Sequence, residues 1–210
     1  MSLVDYAGLK QSVIDHLERD DLSTFVDDFI DLAEARHKTE VRIREMLARS
    51  TLAIAADDQY VDLPSDFLDL KYLRLQVPST TTGQSFLPFE QLSIHELSCE
   101  SVKDAAPPRF FSIAAQIELQ SPADQAYTSE IFYYQEPTAL SDSNTTNVVL
   151  TKSPGLYLYA ALSASAPFLM HDERIPVWES MYIQIRDSLN RSEQENRRGG
   201  PLVAKPHGTR

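Results

Sequence analysis

The chain has 210 residues, of which 42% are hydrophobic and 24% are charged, a composition that is typical of a globular protein and excludes a disordered one. Its formal net charge of −12 at pH 7 disfavours tight binding of DNA, because an acidic surface repels phosphate over a Debye length of about 8 Å. Cys99 is the only cysteine, which excludes an intrachain disulfide and a cysteine-rich metal site and favours synthesis in a reducing cytosol.

Two helices are predicted at the start of the chain. Apolar residues recur at steps of three and four from Tyr6 to Leu17, which places them on one face of a first helix. A second helix is predicted to follow, with Ser23 or Thr24 as its N-cap. The predicted inner face of this helix contains Phe25, Val26, Phe29, Ile30 and Ala33, and its acidic outer face contains Asp27, Asp28, Asp31 and Glu34.

The middle of the chain has the patterns of β-strands. A strand is favoured within residues 42–55, although residues 42–47 could instead continue the second helix. The Thr- and Ser-rich segment 78–85 is predicted to be an exposed loop. Ser93 and Glu96 have the spacing of a capping box, which predicts a short helix after Ser93. The other predicted strands are 59–64, 70–77, 86–91, 110–113, 116–119 and 127–134, with a tight turn at 114–115.

The segment 153–170 is predicted to be a buried helix. Its apolar residues cover every side of the helix and it contains no charged residue, so we expect protein to surround it. Ser153 is predicted to be its N-cap and Pro154 its first residue. A membrane span is the weaker interpretation, because about 20 apolar residues are needed to cross a bilayer and this shorter run contains Pro167.

These elements predict an α+β fold. A last helix is expected after residue 174, and its apolar residues at helical spacing are Val177, Trp178, Met181, Tyr182, Ile185 and Leu189. The two N-terminal and two C-terminal helices, residues 1–40 and 152–196, are predicted to form a four-helix bundle. Residues 41–151 are predicted to be an inserted antiparallel β lobe. Residues 197–210 have turn-forming and basic residues without a period, which predicts an extended C-terminal tail.

Patterns for catalysis and metal binding are weak. Glu34 and His37 have the Glu-x-x-His spacing of carboxylate-bridged metal sites in helical bundles, but no other histidine follows a glutamate by three residues. A solvated face of the second helix is therefore the favoured interpretation, and a carboxylate-metal enzyme stays an alternative. The sequence has no Gly-x-Ser-x-Gly motif, phosphate-binding loop or dinucleotide fingerprint. We therefore predict no catalytic, cofactor-binding or metal-binding residues.

A carbohydrate- or receptor-binding tail module is the other alternative. It is based on four aromatic residues of the last predicted strand, Tyr127, Phe132, Tyr133 and Tyr134. Alternation of this kind more often separates a core face from an edge face than it forms a platform for sugars.

An ordered set of short motifs resembles bacteriophage head-to-tail connector adaptors. The motifs are 29–36, 59–68, Tyr133-Tyr134 followed by Pro137 and Leu140, 153–162, and Trp178 in the last helix. Their order is similar to that of the ring proteins that lie below the portal, such as the tail tubular protein A of short-tailed phages. The resemblance extends to about residue 196.

The resemblance implies a structural protein without enzymatic activity or cofactor. It implies a homo-oligomeric ring, typically dodecameric, that surrounds the DNA channel, binds the portal above and contacts a nozzle or tube protein below. It also implies a place in the neck or tail of the virion after synthesis in the host cytoplasm, with passage of duplex DNA during ejection and no membrane partner.

The same resemblance suggests two sets of site residues. The acidic outer face of the second helix, Asp27, Asp28, Asp31 and Glu34, is expected to line or rim the channel, where negative charge lets duplex DNA slide without binding. The tail residues expected to bind the portal are Arg197, Arg198, Leu202, Val203, Lys205 and Arg210.

Overall fold

The computed structural model describes residues 3–79, 83–99, 107–169 and 172–197. The α-helices in these residues are α1 (Tyr6–Leu17), α2 (Val26–Glu40), α3 (Ile94–Cys99), α4 (Val148–Lys152), α5 (Pro154–Ala164) and α6 (Ile175–Arg197). The β-strands are β1 (Leu47–Ile54), β2 (Tyr60–Asp62), β3 (Phe67–Ser79), β4 (Gly83–Pro88), β5 (Glu90–Gln91), β6 (Phe110–Ile113), β7 (Gln116–Leu119) and β8 (Tyr127–Gln135). The chain divides into a helical unit, residues 1–46 with 137–210, and a β unit, residues 47–136.

Helix α5 lies at the centre of the helical unit. Leu156, Tyr157, Ala161 and Leu162 are each at most 1% exposed. Helices α1, α2 and α6 each pack against α5. Because its apolar residues cover most of its circumference, α5 can bury side chains against several neighbours at once. The prediction of a buried helix in this segment is confirmed.

The predicted four-helix bundle with one inserted antiparallel lobe is wrong. In a four-helix bundle each helix turns one stripe toward a shared core and another toward solvent. The described residues instead add the short helix α4 to the helical unit and place the short helix α3 beside two sheets in the β unit. Within the described residues the chain has a mixed α+β fold of six α-helices and two four-stranded sheets.

The start of α2 differs from the prediction. Neither Ser23 nor Thr24 caps the helix, because a 3-10 helix, Asp20–Phe25, leads directly into Val26 without a side-chain cap. Helix α1 is bounded as predicted, and the Asp5 carboxylate accepts a hydrogen bond from the Gly8 amide at 2.8 Å as its N-cap.

The two ends of α5 agree only in part with the predicted N-cap and the predicted length. Ser153 occupies the N-cap position before Pro154, but its side chain makes no capping hydrogen bond. The helix ends at Ala164 instead of continuing along the apolar run. Pro167 explains this end, because proline has no amide to donate and its ring clashes with the preceding turn; a 3-10 helix, Ala166–Phe168, follows.

No pattern predicts the short helix α4, which precedes α5. Asn147 is its N-cap, and the Asn147 side-chain oxygen accepts a hydrogen bond from the Leu150 amide at 2.9 Å. The polar segment before Asn147 looks like a simple connection in the sequence, but it ends in this cap.

Two sheets form the β unit. The first sheet has the antiparallel order β1-β8-β3-β4, and the second has the order β2-β7-β6-β5. Strand β5 runs parallel to β6, so the prediction of a wholly antiparallel lobe is wrong. The buried core of this unit includes Ile54, Leu73, Leu75, Phe111, Ile117, Leu119 and Ile131.

Some local predictions in the β unit are confirmed. A tight turn at Ala114-Ala115 joins β6 to β7. Ser93 and Glu96 form the capping box of α3: the Ser93 amide donates to Glu96 Oε2 at 3.0 Å, and the Glu96 amide donates to Ser93 Oγ at 3.2 Å.

Other strand boundaries differ from the predicted ones. The strand expected within residues 42–55 is β1, and a 3-10 turn, Arg44–Met46, precedes it, so residues 42–47 do not continue α2. The predicted loop at 78–85 is wrong where it is described, because β3 continues to Ser79 and β4 begins at Gly83. Val77 pairs with Ser85, Pro78 with Gln84 and Ser79 with Gly83, so the described residues of this segment belong to the two strands.

Candidate functional site

The outer side of α2 carries a straight row of exposed residues, Asp28, Leu32, Ala35 and Thr39, called here the α2 row. Leu32 is 57% exposed, so its apolar side chain lies largely in solvent on this side of the helix. In the part of the chain that the structure describes, Asp28 forms no ion pair. The α2 row is therefore a helical face that the helical unit leaves to solvent or to a partner.

Asp27 lies beside this row, and its carboxylate is bound by residues of its own subunit. Its Oδ1 atom is 2.8 Å from Lys10 Nζ and accepts a hydrogen bond from the Tyr6 hydroxyl at 3.0 Å. The hydrogen bond from Lys10 holds the pKa of Asp27 below its usual value. Asp27 joins α1 to α2, whereas the exposed Asp31 has no ion pair among the described residues.

Glu34 lies in the interior, so its prediction as part of the acidic outer face is wrong. It is 7% exposed, and its Oε1 atom accepts hydrogen bonds from the Leu140 amide at 2.8 Å and the Tyr157 hydroxyl at 3.2 Å. The Tyr157 hydroxyl in turn accepts a hydrogen bond from Asn147 Nδ2 at 2.6 Å. Burial raises the pKa of Glu34, and its two hydrogen bonds oppose this shift.

His37 lies one turn after Glu34 and is only 2% exposed. Its ring contacts the Tyr157 ring edge-on, with centroids 4.5 Å apart, and stacks on the Tyr182 ring at 6.0 Å. Burial lowers the pKa of His37 to about 4, so the imidazole is neutral at pH 7. The favoured interpretation of Glu34 and His37 as a solvated face is therefore wrong.

Their interior position does not make them a metal site. Glu34 Oε1 is engaged by the Leu140 amide and the Tyr157 hydroxyl. The described residues contain no cluster of three or more histidine, cysteine, aspartate or glutamate side chains that could hold a metal ion. Glu34 and His37 instead belong to the packing and polar network around α5.

An ionic network joins α2 to α6. The Arg36 guanidinium donates two hydrogen bonds to the Glu179 carboxylate, at 2.6 and 2.8 Å, and one to Glu40 at 3.0 Å. Arg186 donates to the other oxygen of Glu40 at 2.6 Å, and the Arg36 guanidinium lies 3.8 Å from the centre of the Tyr182 ring. The forked geometry fixes α6 against α2. No local sequence signal predicts the pair of Arg36 and Glu179, because 143 residues separate them.

The outer side of α6 carries a second straight row, Val177, Met181, Gln184, Ser188 and Arg191, called here the α6 row. Trp178 and Tyr182 of the predicted apolar set are buried, but Val177 and Met181 of the same set are 53% and 40% exposed. A groove of about 460 Å³ lies along this row and is called here the α6 groove; its lining among the described residues is Ile183, Gln184, Asp187, Ser188, Arg191 and Ser192.

In the β unit, the outer face of the first sheet combines arginine and aromatic side chains. Glu130 forms ion pairs with Arg49 and Arg74, which flank it on neighbouring strands. The Arg74 guanidinium lies 3.9 Å from the centre of the Phe86 ring, and Tyr72 is 44% exposed. This surface is called here the arginine-aromatic face.

The aromatic residues of β8 do not form a platform. Tyr127, Tyr133 and Tyr134 are at most 4% exposed. Tyr127 and Tyr133 belong to the core of the β unit, whereas Tyr134 lies on the same side of β8 as Phe132 but is buried. The three tyrosines are therefore buried side chains, so they do not form the exposed aromatic surface on which the carbohydrate-binding alternative was based.

The predicted portal-binding residues fall at the edge of the described chain or beyond it. Arg197 is the last residue of α6, and its side chain is not described. The other residues of this prediction, Arg198, Leu202, Val203, Lys205 and Arg210, lie outside the described residues. Their role stays a prediction.

Comparison with known families identifies the chain. The model of the SU10 adaptor protein family matches residues 4–205. The chain belongs to this family. No curated protein matches the sequence.

SU10 adaptor proteins are phage head-to-tail adaptors, so the protein is a structural component of a phage. The predicted resemblance to the adaptor class is confirmed at this level, whereas the closer likeness to tail tubular protein A stays a prediction. Among the described residues of this SU10 adaptor, no helix has the length and apolar character that a bilayer span requires.

Proposed function

We propose that the protein forms a ring in the neck of the virion that joins the portal to the tail and surrounds the channel through which duplex DNA passes. The match to the SU10 adaptor protein family over residues 4–205 carries this proposal. The helical unit supports it, because a subunit of a ring needs outer faces that neighbouring copies cover. The α2 row and the α6 row are two such faces.

The three parts of the chain have separate tasks in this proposal. The helical unit forms the ring, residues 197–210 bind the portal, and the β unit contacts the nozzle or tube protein below. The arginine-aromatic face is the surface of the β unit that suits such a contact, because Arg49 and Tyr72 are both exposed and pair with Phe132 from either side. Apart from this face the β unit is rich in carboxylates, which favours a protein partner over DNA.

The acidic residues of α2 lie at the channel or its rim in this proposal. Asp27, Asp28 and Asp31 are exposed, and their negative charge repels duplex phosphate, so DNA passes without being held. Glu34 is not part of this set, because it lies in the interior.

The ring is tested by the mass of the assembled protein. The full chain, measured by mass photometry at physiological salt with and without its cognate portal, is expected to form a closed oligomer, dodecameric by analogy with the adaptor class. A chain that stays monomeric in both conditions and ignores the portal would contradict the proposal.

The tail has its own prediction. Deleting residues 199–210 is expected to abolish attachment to the portal and to leave the melting temperature unchanged, because all described helices and strands end by residue 197. Attachment is measured by co-sedimentation with portal rings. A matched variant that keeps the length but replaces Lys205 and Arg210 with alanine shows whether the Lys and Arg charges of the deleted segment are responsible. Normal attachment of the truncated chain would refute the role of the tail.

A further inference from the structure

We propose that neighbouring copies in the ring contact each other through α6 of one copy and α2 of the next, which pack side by side in opposite directions. The inference rests on the proposed ring and adds the surface that builds it.

Both rows have the residue spacing of a helix–helix seam. The α2 row advances by four, three and four residues, and the α6 row by four, three, four and three. Alternating steps of three and four keep a row straight along a helix and are the pattern by which two helices pack with interlocking side chains. Both rows are exposed throughout.

The α6 groove provides a hole for Leu32. Gln184, Asp187, Ser188 and Arg191 have the i, i+3, i+4, i+7 arrangement that surrounds a knob from a facing helix. Leu32, at 57% exposure, is the protruding apolar residue of the α2 row. Asp187 is held by Arg186, whose Nε donates to Asp187 Oδ1 at 2.9 Å, so its carboxylate is already paired beside the hole.

Charge selects the direction of the packing. When Leu32 lies opposite Ser188, antiparallel packing places Asp28 opposite Arg191. Asp28 lies about one helical turn before Leu32, and Arg191 lies about one helical turn after Ser188. Among the described residues neither Asp28 nor Arg191 has an ion-pair partner within its own copy. The same register places the small residue Ala35 opposite Gln184 and Thr39 opposite Met181, which allows the two backbones to approach closely.

The two rows differ from each other, so the contact is head-to-tail. Each copy contacts one neighbour through its α2 row and the other neighbour through its α6 row. Such heterologous contacts build a ring when the rotation closes. The ion pairs of Arg36 with Glu179 and of Arg186 with Glu40 fix α2 to α6 within a copy, which keeps the angle from one copy to the next constant. Asp27 and Asp31 lie on the flank of α2 beside the row, where they stay available to the channel or its rim, whereas Asp28 is assigned here to the contact between copies and no longer to the channel.

A charge exchange tests the contact. Asp28→Arg and Arg191→Glu, each alone, are expected to raise the concentration needed for assembly at least about tenfold, because each places like charges opposite each other in every contact of the ring. Mixing the two variants is expected to restore assembly. The ring then alternates native contacts with contacts in which the two opposite charges at positions 28 and 191 have changed places. Mass photometry at low salt measures both results.

Exposed charges away from the rows provide matched controls. Asp142→Arg and Arg44→Glu make the same charge changes on exposed residues of the helical unit and are expected to assemble as the native chain does. Melting temperatures check that all variants fold. Leu32→Asp tests the knob without touching either member of the charge pair and is also expected to prevent assembly.

The outcomes separate this inference from the proposed ring. Native-like rings formed by both single variants would overturn the inference and leave the ring intact, and so would loss of assembly that mixing does not restore. Failure of the native chain to assemble with or without the portal would overturn the ring itself.

Discussion

Replacing Tyr157 with alanine is expected to lower the free energy of unfolding by about 3–5 kcal/mol, as is typical when a buried aromatic side chain is truncated. Tyr157 is 1% exposed at the centre of the helical unit, and its ring contacts that of His37. The change leaves a cavity between α5 and its neighbours, and it removes the hydroxyl that joins Glu34 to Asn147. Urea denaturation followed by circular dichroism measures the loss.

Tyr157→Phe separates the two causes. It keeps the ring in place and removes only the hydroxyl, and it is expected to cost about 1–3 kcal/mol, because the buried Glu34 carboxylate and Asn147 amide each lose a hydrogen-bond partner. Tyr60→Ala is the matched exposed control, since Tyr60 is 56% exposed, and it is expected to change stability by only about 0.5 kcal/mol. A similar loss for Tyr157→Ala and Tyr60→Ala would show that α5 is not the centre of the core.

The stability of the helical unit is expected to fall as the pH is lowered from about 6.5 to about 4, because of His37. Burial lowers the pKa of His37 from 6.5 to about 4, so in this interval the unfolded chain binds a proton that the folded chain does not. The contribution of His37 is therefore constant above pH 6.5 and is lost on acidification. At 1.36 kcal/mol for each pKa unit the loss is about 3 kcal/mol.

Glu34 acts in the opposite direction and must be separated from His37. Its raised pKa means that the folded chain holds a proton more tightly than the unfolded chain, so the contribution of Glu34 is lost as the pH rises through its folded pKa. His37→Gln keeps a polar side chain at this position without a titrating group, and the difference between its stability curve and that of the native chain isolates His37. Curves that stay parallel from pH 7 to pH 4 would contradict the assignment.

Local chemistry made several elements predictable. The apolar circumference of α5, the capping box of Ser93 and Glu96, and the turn at Ala114-Ala115 each depend on residues that are close in sequence. The ordered motifs also led to the adaptor class, which the family match over residues 4–205 confirms. These features depend on side-chain type and spacing, and both can be read without coordinates.

The sides of α2 could not be predicted in the same way. Acidic residues at 27, 28, 31 and 34 look like one solvated face, yet Glu34 is buried beside His37. Glu34 is buried because the Leu140 amide, Tyr157 and α5 cover that flank of α2. These groups lie more than 100 residues away in the sequence. A helical pattern describes one helix, whereas the width of its buried face depends on how many neighbours pack against it.

By itself the sequence determined which segments are apolar enough to be buried, where several of them begin, and that the chain is a structural phage adaptor. Only the tertiary structure decided that Glu34 and His37 lie in the interior, that β5 pairs with β6 in parallel, and that Arg36 binds Glu179. The physical reason is that hydrophobic burial and capping depend on local composition, whereas helix neighbours, strand order and ion pairs depend on residues that approach each other only after the chain has folded.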